Sequence, residues 1–178
     1  MLFVGRMVPE KGVEDLLDAY EEISQDGSVE GLQLLVVGEG PLLGTLKERC
    51  SRKGRGSVVF TGFVAPDKLY PYYAAADVFV LPSRYEPFGV VVHEAAAAGL
   101  PVIVSDCCGA AAELVEDERN GFIFRAGDAR ELAGAIEKLC RSGDRWDRMG
   151  CDSRRLAKMY DYNEGERQFV EMVRTAMS

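Results

Sequence analysis

Glu86 and Glu94 stand with seven residues between them in the stretch Glu-Pro-Phe-Gly-Val-Val-Val-His-Glu, just before an alanine run. Carboxylates beside apolar side chains are costly unless something donates hydrogen bonds to them. Vicinal hydroxyls are such donors, and a sugar ring and a ribose both present them, so one acid can hold each. A second cluster lies at the front, in Gly-Arg-Met-Val-Pro-Glu-Lys-Gly. Gly5 lets backbone approach a ligand closely. Arg6 offers a planar fork of donors, and Lys11 a compact positive charge beside the start of the next helix. Together they suit a diphosphate, although a basic surface turn has the same composition. Glu86 as a surface acid and Glu94 in a cap or ion pair is the plainer reading of the other cluster.

These residues gain meaning from the elements that must position them. Leu2–Gly5, Leu32–Gly38, 57–62, Val78–Leu81, 101–105 and 121–124 read as strands. Between them, Val13, Leu16, Leu17, Tyr20 and Ile23 recur at helical spacing, and residues 42–52, 65–76, 89–98, 109–117 and 128–140 read as further helices. Pro71 signals a kink or a late start in the third of these. Gly99 is placed to stop one helix and Asp128 to cap another. From Asp144 onward the chain reads as helical. The alternation predicts an α/β fold, a Rossmann-like parallel sheet of about six strands with helices on both faces.

Such sheets bind ligands beyond the C-terminal ends of their strands. Gly5, Arg6 and Lys11 fall there after the first strand, Gly38 to Gly40 after the second, and Gly62, Phe63 and Val64 after the third. Ser83, Arg84 and Glu86 follow the fourth, and Ser105 to Gly109 the fifth. Pro87 restricts Glu86, and Gly89 turns the chain into a helix, leaving backbone donors at Phe88, Gly89 and Val90. Val90, Glu94 and Ala98 share a helix face, which predicts that the Glu94 carboxylate rises toward the ligand edge.

The composition excludes other chemistries. The chain has 178 residues, 47% hydrophobic and 28% charged, with a net charge of −8. Such a surface does not attract nucleic acid over a broad face, yet a helix N-terminus and two basic side chains can hold a phosphate locally. No apolar run is long enough to span a membrane and no leader pattern opens the chain, so the cytoplasm is expected. The five cysteines form no Cys-x-x-Cys pair and His93 is the single histidine, which favours reduced thiols over a zinc site and His93 as a packed residue. No Asp-x-Asp pair occurs to hold a divalent ion on a diphosphate.

Four segments, FVGRMVPEKGVEDLL, LLVVGEGPL, FTGFV…LYPYYAAADVFVLPS and EPFGVVVHEAAAAGLPVI, carry a family likeness. Over about residues 1 to 142 the chain resembles the C-terminal, donor-binding half of the retaining glycosyltransferases called glycosyl transferases group 1, which have the two-domain GT-B fold. The resemblance implies a UDP- or GDP-sugar donor and no required metal. Arg6, Lys11 and Glu86 would serve the transfer, with Arg6 and Lys11 on the diphosphate and Glu86 on the hydroxyls of the transferred sugar. Glu94 would take the ribose, and the backbone at Phe88, Gly89 and Val90 the sugar and phosphate oxygens. Gly62, Phe63 and Val64 would lie along the base, with Leu69 nearby and Gly5 and Gly38 lining the site. Configuration would be retained by a front-face path assisted by the leaving phosphate, not by a covalent adduct on Glu86.

The resemblance also implies an N-terminal, acceptor-binding domain that nothing here matches. The chain would then be half an enzyme, inactive alone. Residues 1–160 would form the nucleotide-sugar-binding domain and 161–178 a helix crossing to the other half, although YDYNEG stands where such proteins often carry a tryptophan. In the whole enzyme an acceptor at the membrane would imply peripheral association. A nucleotide-binding module without catalysis, an epimerase or phosphorylase of related architecture, and an interaction domain are the alternatives.

Overall fold

A computed structural model of the chain describes residues 1–52 and 58–160. The expected crossing helix at 161–178, with its stripe of Tyr162, Phe169 and Val173, lies outside the described residues. Six parallel strands form one sheet: β1 (Leu2–Val4), β2 (Leu34–Val37), β3 (Val58–Gly62), β4 (Phe79–Leu81), β5 (Val102–Ser105) and β6 (Gly121–Phe124). Their spatial order is β3-β2-β1-β4-β5-β6. The winding reverses between β1 and β4, the place in such sheets where ligands bind.

Side chains alternate between the faces of a strand. Every residue of β1, β4 and β5 is buried, so both faces of the central sheet are covered. The cover comes from two helix groups. One holds α1 (Val13–Asp26), packed on α6 (Ala129–Arg141), with α2 (Leu43–Arg52) tied to it where Arg49 reaches Asp18 and Glu21. The other holds α4 (Val90–Ala98) on α7 (Trp146–Met159), flanked by α3 (Tyr70–Ala74) and α5 (Ala111–Leu114). At the edge, β3 is half-exposed along its length, as an edge strand can be.

The elements follow the sequence reading with instructive differences. Asp128 caps α6, accepting from the Glu131 N–H at 2.9 Å, and Gly99 ends α4 in the left-handed conformation. The segment 65–76 splits into a 3-10 turn at Pro66–Lys68 and the short α3, which starts late because Pro71 fits only its first turn. The helix expected at 109–117 is a single turn, Ala111–Leu114, because Val115 leaves in an extended conformation. The helix expected from Asp144 begins at Trp146 after a 3-10 turn. Ala95 and Ala96 are buried, but the alanine-rich helix they belong to packs on α7 as well as the sheet. Gly150 of α7 makes that crossing close: a Cβ there would stand 2.3 Å from the Gly99 carbonyl oxygen. Among the described residues no helix is long and apolar enough to cross a membrane.

Asn120 ties these parts together. Its fully buried side chain donates to the Leu114 carbonyl at 2.9 Å and to Ser153 Oγ on α7 at 3.2 Å, and accepts from the Glu116 N–H at 2.8 Å. Replacing it strands several buried polar groups at once. Asn120→Ala is expected to lower unfolding stability by about 2–4 kcal/mol, read as an earlier midpoint in a urea titration with the slope unchanged.

Candidate functional site

The loop after β1 and the loop after β4 are locked together where the winding reverses. The Arg84 and Tyr85 N–H groups both donate to the Glu10 carbonyl, at 2.8 and 3.2 Å. The Arg84 guanidinium then forks onto buried Asp15 of α1, Nε to Oδ2 at 2.9 Å and Nη2 to Oδ1 at 2.7 Å. That carboxylate raises the Arg84 pKa further, so the fork stays charged. Gly12 closes the junction. It has φ 63°, a region that disfavours a side chain, and a Cβ there would stand 2.0 Å from the Pro82 carbonyl oxygen.

This lock brings Lys11 onto Glu86: the ammonium donates to Glu86 Oε2. The sequence places each near the same edge but gives no sign that they touch. Glu86 is also fixed through its backbone, where its N–H donates to the Cys107 carbonyl at 3.2 Å and its carbonyl accepts from the Gly109 N–H at 2.8 Å. Arg6, by contrast, is exposed, and its guanidinium has no partner among the described residues.

The glycines are stitched side by side along the rim. The Gly5 N–H donates to the Val37 carbonyl at 3.0 Å, and the Gly38 N–H to the Gly62 carbonyl at 2.9 Å. Phe63 follows with its side chain 67% exposed, Val64 is half-buried and Leu69 is buried under the rim. Loops after β3, β2, β1 and β4, four neighbours in the sheet, therefore carry the expected residues in an unbroken row.

Gly89 is the N-cap of α4 in the left-handed conformation, φ 79°. The N–H groups of Phe88, Gly89 and Val90 meet no acceptor among the described residues. The positive end of the helix dipole thus opens beside Glu86. The Val90 side chain is exposed, whereas Glu94, one turn on, is half-buried. Its Oε2 accepts a hydrogen bond from the Tyr73 hydroxyl of α3 at 2.7 Å. Tyr73 is a site neighbour to which the sequence gives no role beyond its place in the segment 65–76.

Other residues are set aside by their surroundings. His93 Nε2 lies 2.9 Å from the Ala157 carbonyl oxygen of α7. A carbonyl only accepts, so Nε2 carries the proton and His93 joins two helices, as a packed residue should. Ser83 is buried with its hydroxyl unpartnered among the described residues, and its carbonyl accepts from Ser105 Oγ. Cys107 is exposed while Cys108 is buried beneath Gly89, and burial pushes the Cys108 thiol pKa up.

Comparison with known proteins bears on this arrangement. A sequence profile described as glycosyl transferases group 1 matches residues 1–142. An uncharacterized glycosyltransferase of Methanocaldococcus jannaschii is 39% identical over 140 residues, covering 78% of this chain and 35% of its own length. A GDP-mannose-dependent alpha-(1-6)-phosphatidylinositol monomannoside mannosyltransferase of Mycobacterium tuberculosis is 36% identical over 159 residues, covering 85% of this chain and 40% of its own. The crystal structure of Anabaena HepE in complex with UDP superposes with a TM-score of 0.81 at 27% identity, over 98% of this chain and 48% of that one. The chain thus spans less than half the length of each.

The Arg84–Asp15 fork gives a direct test of how the two loops are held. Removing the guanidinium leaves a buried carboxylate without its donors, which costs about 1–3 kcal/mol. Arg84→Ala should therefore destabilise the chain by about that amount, and adding Asp15→Ala should recover part of it. A double-mutant cycle in urea reads the coupling, and strictly additive losses would show the fork to be idle.

Proposed function

The chain belongs to the glycosyl transferases group 1 family, and we propose that it is the donor-binding half of a retaining enzyme that moves a hexosyl group from a nucleoside diphosphate to an acceptor hydroxyl. The observation that carries this reading is the contact of Lys11 with Glu86 where the winding reverses between β1 and β4, just before the helix that carries Glu94.

The contact suits both partners to a nucleotide sugar. An ammonium has three donors, and one on Glu86 leaves two for phosphate oxygens. A carboxylate with one oxygen on Lys11 keeps its other oxygen for sugar hydroxyls. Arg6, exposed and unpaired among the described residues, adds a second cation on the diphosphate. The N–H groups of Phe88, Gly89 and Val90 complete the cradle. Glu94 takes the ribose hydroxyls, and Gly62, Phe63 and Val64 run along the base, with Leu69 beneath and Gly5 and Gly38 beside the phosphates.

In the transfer, the bond from the anomeric carbon to the diphosphate oxygen breaks and the electron pair leaves with the diphosphate. The cations and helix N–H groups stabilise that growing charge. With two side-chain cations and the helix start facing it, the diphosphate needs no divalent metal. The acceptor oxygen bonds to the carbon on the face the phosphate leaves, and its proton passes to the departing phosphate oxygen. Glu86, engaged with Lys11, orients the sugar and forms no covalent adduct.

The donor class draws support from relatives: the mycobacterial protein is GDP-mannose-dependent and the Anabaena structure holds UDP. The span of less than half of each relative supports an acceptor site on another domain of the same polypeptide, so this chain alone binds donor and turns over little. A membrane-borne acceptor would place the whole enzyme at the cytoplasmic membrane face.

Calorimetry of the chain with UDP, GDP and their sugars tests the reading. The best ligand should bind at tens of micromolar, about −6 kcal/mol. Arg6→Ala and Glu94→Ala should each weaken it by about tenfold or more, and EDTA should leave it unchanged. Equal affinity in the parent and both variants would remove the site.

A further inference from the structure

We propose that Tyr73 is the positioning residue that makes Glu94 selective for a ribose over its 2′-deoxy form. The inference rests on the reading of Glu94 as the ribose-binding carboxylate.

A glutamate on a helix surface has three rotatable bonds and does not by itself hold its carboxylate in one plane. Here one oxygen is fixed. The Tyr73 hydroxyl donates to Glu94 Oε2 at 2.7 Å. The donor cannot drift, because the Tyr73 ring is only 3% exposed and packs against Phe79 of β4, centroids 6.0 Å apart and planes tilted by 51°. The α3 turn that carries it is itself anchored by buried Leu69. The tyrosine thus links a core strand to a half-buried acid on α4.

The link leaves a defined remainder of acceptor capacity. Oε1 accepts no hydrogen bond among the described residues and Oε2 keeps one lone-pair direction, so each oxygen can still take a donor in a fixed plane. Two adjacent hydroxyls present that pair. A single hydroxyl uses only half of it, and the fixed plane prevents the carboxylate from turning to improve the one bond. Burial, and then the neighbouring carboxylate, push the Tyr73 phenol pKa upward, so it remains a donor at all ordinary working pH values.

The test uses the chain with UDP and GDP, each titrated against its 2′-deoxy form, in the parent, Tyr73→Phe, Glu94→Gln and the double variant. Tyr73→Phe keeps the ring and its packing, and thermal melting confirms the fold. It is expected to weaken the ribonucleotide about fivefold, with less than a twofold change for the 2′-deoxy form, so that discrimination between them falls. In the Glu94→Gln background the tyrosine change should have little further effect, and between pH 7 and about 9 the Tyr73 effect should be flat. An equal loss for both nucleotide forms would mark Tyr73 as merely structural and overturn the proposal. If Glu94→Gln weakens the ribonucleotide while Tyr73→Phe leaves the discrimination intact, the positioning role alone fails. If Glu94→Gln changes neither nucleotide, the ribose reading of Glu94 fails and the proposal falls with it.

Discussion

Everything at the candidate site depends on how closely two loops approach where the sheet's winding reverses. The Pro82 carbonyl sits where a side chain on residue 12 would be, and the Glu10 carbonyl receives two N–H groups from the opposite loop. Only that proximity lets the Lys11 ammonium reach Glu86. An ion pair at this position is not chiefly a source of stability, since taking charges out of water offsets much of their attraction. Its effect is geometric: it holds a cation and an acid at one place and leaves each with unused hydrogen-bonding capacity.

The arrangement also reconciles a strongly acidic chain with an anionic ligand. A net charge of −8 repels phosphate at long range, but screening confines that repulsion to about a Debye length, roughly 8–10 Å at physiological salt. Where the two loops meet, the local balance differs. Asp15 is matched by Arg84 and Glu86 by Lys11, while Arg6 and the start of α4 stay uncompensated among the described residues.

Much of the fold was legible because its signals are local. Continuous apolar runs gave the strands, helical periodicity gave α1 and α6, and Asp128 and Gly99 marked ends where they were expected. The helix at 109–117 was misjudged because three alanines and a glutamate favour a helix anywhere. What ends it is the extended Val115 and the buried Asn120 side chain on the Leu114 carbonyl, which no local pattern announces. The site residues were legible as an edge, not as pairs. Tyr73 and Glu94 are 21 positions apart, Asp15 and Arg84 69, Lys11 and Glu86 75, so their contacts exist only once the sheet is wound.

The helix that carries Glu94 is gripped from behind. Gly150 lets α7 press against its C-terminal end, Arg154 lies across Gly99 and donates to the Ala98 carbonyl, and His93 is tethered to Ala157. All of those grips come from residues beyond 142, where the family profile stops. The matched profile therefore ends before the part of this chain that braces Glu94. A minimal donor-binding module cut to the profile would free α4 along its back, so its boundary belongs after the last turn of α7.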